Sequence, residues 1–185
     1  MKTAAFFRNS FLLLPMAALA LAGCSKPQEE EIIPETTLEM NYPAIPFTID
    51  SADVAGGQFE MDLDIDANVL GQVLAANQYS LAQLTQFKFT KANLFLTSPV
   101  TGNYNAMHAV TLQVAVDQSP PLTVAGMNPV PNGAQTLLLH MGDVNVLDLM
   151  KSSNVHFVFK VQLDGPLPAM SSHGLVLGAK VGVGL

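Results

Sequence analysis

The nine residues VHFVFKVQL, Val155–Leu163, carry apolar side chains at every second position: Val155, Phe157, Phe159, Val161 and Leu163. His156 and Lys160 fall on the other phase. A strict period of two with aromatic and β-branched residues predicts a strand with one buried face. Gly165-Pro166-Leu167-Pro168 then ends it.

The same pattern recurs on both sides. Downstream, Leu175, Leu177, Ala179, Val181 and Val183 alternate, with Gly178, Gly182 and Gly184 on the opposite phase. Upstream, Val110, Leu112, Val114 and Val116 share one phase within Ala106–Val116. Leu122–Gly126 and Gln135–His140 are shorter strands separated by the turn Asn128-Pro129-Val130-Pro131-Asn132-Gly133. In Gln86–Thr97 the apolar phase flips, from Phe87 and Phe89 to Ala92, Leu94 and Leu96. A flip inside one run predicts a bulge near Thr90–Ala92. Asp143–Lys151 fits either a short helix or an edge segment. Farther upstream, Phe59, Met61, Leu63 and Ile65 alternate with Glu60, Asp62, Asp64 and Asp66, a half-buried strand with one acidic face.

One stretch has a helical period. Asn68 is placed to cap a helix through Ala76, with Leu70, Val73 and Leu74 on one side. Ser80-Leu81-Ala82-Gln83 has the form of a capping box, opening a turn that carries Leu81 and Leu84 to the core. The fold class expected is therefore all-β: an antiparallel β-sandwich of about eight strands, with one short helical insertion near residues 68–84. In layout it resembles the small immunoglobulin-like domains of bacterial surface lipoproteins. The chain is long enough to bury a core without disulfides.

Charge is unevenly placed. Residues 24–66 hold eleven acids against one lysine, Lys26, while residues 67–185 are close to neutral. The formal net charge is -7. This is the opposite of the basic footprint that binds a phosphate backbone, so nucleic acid is not an expected partner. The only arginine is Arg8, and tryptophan is absent.

The N-terminus reads as a leader. Lys2 and Arg8 precede the apolar run Phe11–Ala22, which is too short to span a bilayer and is broken by Pro15. The run ends in Leu21-Ala22-Gly23-Cys24, and Cys24 is the only cysteine. These four residues resemble the lipobox of bacterial lipoproteins. The resemblance implies cleavage before Cys24, a lipid on its sulfur and acylation of the new amino terminus. Residues 1–23 are then the signal peptide, 24–43 an acidic tether and 44–185 the sandwich. Ser25 after the cysteine favours the outer membrane, on its periplasmic or surface face. Lys26 with Glu29-Glu30-Glu31 loosely resembles a surface-export signal.

Candidate chemistry is sparse. Asp62-x-Asp64-x-Asp66 resembles the start of a calcium loop, but Ala67 and Val73 stand where that loop needs glycine and glutamate. Asp62 and Asp64 remain candidate calcium ligands. Met107-His108, His140-Met141 and Met170 with His173 pair thioether and imidazole, ligands that suit copper. His108, His140 and His173 are the candidate metal ligands if different strands bring them together. No Gly-x-Ser-x-Gly or His-Glu-x-x-His motif occurs. Asp117, Asp143 and Asp164 lie near expected turns, where aspartate is ordinary. The chain thus reads as a non-catalytic structural, adhesion or binding domain with no cofactor, held to membrane through Cys24, with a protein or glycan ligand. An exported metal-binding lipoprotein, copper ahead of calcium, is the alternative.

Overall fold

The computed structural model describes residues 35–184, apart from 67, 117, 118, 153, 166, 168 and 169. Cys24 and the leader lie outside the described residues. Ten strands and two short α-helices make up the described part: β1 (Thr36–Asn41), β2 (Ile45–Ile49), β3 (Gln58–Leu63), α1 (Asn68–Ala76), β4 (Leu84–Ser98), β5 (Met107–Val116), β6 (Leu122–Met127), β7 (Thr136–Leu138), β8 (His140–Met141), α2 (Leu147–Met150), β9 (Val155–Leu163) and β10 (Ser171–Val183).

The strands form two antiparallel sheets. One has the order β1-β10-β4-β7, with β2 also paired to β10; the other runs β3-β9-β5-β6-β8. The expected sandwich is thus present, with ten strands rather than about eight. Its strand order departs from the immunoglobulin arrangement, in which the first strand pairs with the second. Here β1 pairs with the last strand, Thr36 opposite Val183 and Asn41 opposite Gly178. Period and turn spacing identify strands but carry no information on which strands pair.

Two of the extra strands come from the segment just before the acidic strand. β1 falls inside residues 24–43, so the tether boundary at residue 43 is too late: the sheet begins at Thr36. β2 alternates strictly, with Ile45, Phe47 and Ile49 buried between exposed Pro46 and Thr48. β1 and β2 lie end to end along one side of β10, interrupted by Tyr42-Pro43-Ala44. The missing proline N–H suits a break in an edge ladder.

The core lies between the sheets and is rich in phenylalanine. Phe47 meets Phe159 across it at 5.0 Å, Phe89 meets Phe157 edge-on at 5.7 Å, and Phe87 adjoins Phe89 at 5.2 Å. Leu94, Leu112, Leu175 and Leu177 are fully enclosed around them.

The bulge expected in β4 is present. Phe89 pairs with Ala179 and Lys91 with Gly178, leaving Thr90 as the extra residue. Four more residues are skipped in the same way: Thr85 and Thr97 in β4, His108 in β5 and Val124 in β6. At the Thr85 bulge the hydroxyl donates to the Glu35 carboxylate. Thr85 and Glu35 flank β10 from opposite sides and meet above Gly182, where a Cβ would strike both.

The helical insertion is where the sequence places it, with two corrections. The Asp66 carboxylate, not the Asn68 side chain, accepts the first helical N–H, that of Asn68 itself, at 2.9 Å. Leu84 is buried but Leu81 is half exposed, since the short turn orients it outward. The ambiguous segment 143–151 contains α2. Asn145 fastens it to β4, its side-chain oxygen accepting from the N–H groups of Phe87 and Leu147.

Candidate functional site

β10 continues its inward phase beyond the residues that alternation singles out. His173 and Ser171 share the odd-numbered phase with Leu175 and Leu177. His173 is therefore turned into the molecule and is only 1% exposed. Phe47 from β2 stacks on its ring at 5.1 Å, and Tyr104, just before β5, stacks at 5.7 Å.

A polar thread runs through this apolar setting. The Tyr104 hydroxyl lies 3.3 Å from His173 Nδ1, and the Ser171 hydroxyl lies 2.8 Å from His173 Nε2. Burial lowers the His173 pKa to about 4, so the ring is neutral at pH 7. The same desolvation raises the Tyr104 pKa and keeps its hydroxyl protonated. A neutral imidazole is a donor at one nitrogen and an acceptor at the other. The thread therefore has two consistent directions. In one, Tyr104 donates to Nδ1 and Nε2 donates to Ser171. In the other, Ser171 donates to Nε2 and Nδ1 donates to Tyr104.

Ser171 is half-buried and opens the thread to a pocket of about 350 Å³. Leu96, Met107, Leu167 and Met170 supply most of its apolar wall, with Tyr104, Ser171 and His173 at one side. The oxygens of Asn103 and Asn105, also on the lining, accept from the N–H groups of Asn105 and Gly133. Among the described residues no aspartate, glutamate, lysine or arginine lines the pocket. Met170, 61% exposed, stands at its rim. An apolar concavity with a few convergent polar groups is the usual form of a small-molecule site, and this volume sits at its lower end.

A larger hollow of about 700 Å³ lies between α1 and the segment Met150–Val155. Among the described residues its one charged lining side chain, that of Lys151, donates to the Leu84 carbonyl at 3.1 Å. Tyr42, buried and with its pKa pushed up to about 12 chiefly by burial, also lines it, but among the described residues no linked chain of polar side chains like Tyr104, His173 and Ser171 does, so it is the weaker candidate despite its size.

The residues expected to hold metal are not brought together. His173 is enclosed as described. His108, the skipped residue of β5, pairs through Nδ1 with Asp164 at 3.0 Å. His140 is exposed on β8, the outermost strand of the other sheet. Asp62 and Asp64 are exposed along β3 and just beyond it, at that sheet's opposite edge. Among the described residues no three histidine, cysteine, aspartate or glutamate side chains group to hold a metal ion. The pairing of thioether and imidazole in the sequence reflects core and rim positions instead: Met107 is buried, Met170 rims the pocket, and Met141 packs on the core.

Tyr104 was not a sequence candidate, because it belongs to no periodic run. His173 had a signal: its odd number places it with the buried residues of its strand. The chain matches no protein-family model and no curated protein.

Proposed function

We propose that this chain is a lipid-anchored envelope protein whose β-sandwich is a non-catalytic binding domain, with its ligand site in the pocket bounded by Tyr104, Ser171 and His173. The observation that carries the binding reading is that pocket: about 350 Å³, walled mostly by apolar side chains, with a buried Tyr-His-Ser thread ending at it. The size and the apolar wall favour a small molecule over the protein or glycan surface that the sequence left open. Rings such as those of sugars need a broad array of hydrogen-bonding side chains, and here the two asparagine oxygens are engaged by the loop itself.

The anchoring part rests on Leu21-Ala22-Gly23-Cys24 and its resemblance to the lipobox. More than one acyl chain at Cys24 gives stable attachment. Placement at the outer membrane, on its periplasmic or surface face, follows from Ser25 by the same resemblance.

Both parts have direct tests. Cys24→Ala should shift the protein from the membrane fraction to the soluble one; retention in membranes refutes the anchor. For binding, the neutral dye N-phenyl-1-naphthylamine should brighten with the wild-type chain and not with Leu96→Trp, which fills the pocket. Equal brightening by both proteins would show that the dye sits elsewhere and would remove the reading.

A further inference from the structure

The binding reading leaves the ligand's chemistry open, and the pocket's own groups narrow it. We infer that the pocket takes an uncharged, mainly apolar molecule with a single hydroxyl or carbonyl head, held by Ser171 at the end of the Tyr104–His173–Ser171 thread. This inference rests on the proposed binding function and adds the class of ligand.

Three observations carry it. Among the described residues the lining contains no aspartate, glutamate, lysine or arginine, so a carboxylate, phosphate or ammonium head would lose its hydration with no counter-charge. His173, the one titratable nitrogen base on the described lining, is stacked between Phe47 and Tyr104 with Ser171 on its Nε2 and is only 1% exposed, so it offers no charge at neutral pH. The thread can also point either way. When Nε2 donates to Ser171, the serine proton is free for a carbonyl oxygen. When Ser171 donates to Nε2, the serine oxygen is free to accept from a hydroxyl. The serine thus presents either a proton to an acceptor head or an oxygen to a donor head. The remaining wall, Leu96, Met107, Leu167 and Met170, suits an aliphatic or aromatic body.

The experiment uses the full 185-residue chain with Cys24→Ser, so that neither lipid nor detergent competes for the probes. Calorimetric titration compares 1-octanol, 2-octanone, octanoate, octylammonium and n-octane. Octanol and octanone should bind about tenfold tighter than octanoate, octylammonium or octane, the scale of one good hydrogen bond. Ser171→Ala should bring octanol to the level of octane, and Ser171→Thr should keep the preference. Leu96→Trp should abolish binding of all five.

Tightest binding by octanoate or octylammonium would overturn the ligand class while leaving a binding pocket in place. Equal affinity for octanol and octane, or no effect of Ser171→Ala, would overturn the role of the head group. If none of the five binds the wild-type chain, the binding reading fails with it. Binding that survives Leu96→Trp places the probes elsewhere and overturns the assignment of the site.

Discussion

His173 shows what one residue costs and does. Its imidazole is enclosed, neutral and partnered at both nitrogens. An unfolded chain carries histidine near its ordinary value of 6.5, whereas the folded one holds it near 4. Between those values the unfolded state binds a proton that the folded state refuses. Stability should therefore be unaffected by this group above pH 6.5, fall as the pH drops toward 4, and level off below. The full span corresponds to roughly 3 kcal/mol. Urea unfolding at a series of pH values measures it, and His173→Phe should flatten the slope in that window. Asp143, held below the usual carboxylate value chiefly by the hydrogen bond from Lys88, acts at lower pH and leaves the window clear. Tyr104→Phe removes one partner of a buried nitrogen and should cost about 1–2 kcal/mol in the same assay at pH 7. The sequence could disclose the placement of His173 through its phase. It could not disclose Tyr104, whose position follows from the turn at 102–106, where no period exists to be read.

At the scale of elements, the alternating strands were legible because a buried face imposes period two whatever the partner. The Thr90 bulge was legible for the same reason, as a break in that period. The bulges at Thr85, Thr97, His108 and Val124 were not, because each skipped residue is polar or, like Val124, lies in a strand too short for a break in period to show. Pairing order was illegible because β10 buries the same face whether it meets β1 or another strand. The glycines of β10 gain their meaning only from that order. Gly182 lies beneath the Thr85–Glu35 bond and Gly174 beneath the Phe95 ring. Gly182→Val should cost about 1–3 kcal/mol by displacing that bond. Gly165→Ala, with nothing near its Cβ position, should change stability by less than about 0.5 kcal/mol. On the inner face, Phe159→Ala should cost about 3–5 kcal/mol, since Phe47 packs directly against it. Chemical denaturation of the three variants ranks them.

For the whole molecule, the decisive fact is that the first strand completes the sheet beside the last. A chain beginning at Glu35 should fold as a monomer. One beginning at Ala44 lacks β1 and leaves residues 178–183 of β10 without a neighbour on that side. Such an edge pairs readily with another chain, so size-exclusion chromatography should show association or loss of soluble protein. The segment from Cys24 to Thr36 is also shorter than the tether read from composition, reaching about 40 Å at most when fully extended. A pull applied at Glu35 acts at the end of β1 where Thr36 faces Val183. Directed along the strand, that load is shared by all six residue pairs at once. Directed away from the sheet, it peels them one by one from that end, where Glu35 is clasped to Thr85 over the top of β10. The small bond above Gly182 thus sits at the first point of failure, like a rivet at the corner of a seam. Thr85→Val should lower the force at which an optical trap pulling on residue 35 strips β1 from the sheet.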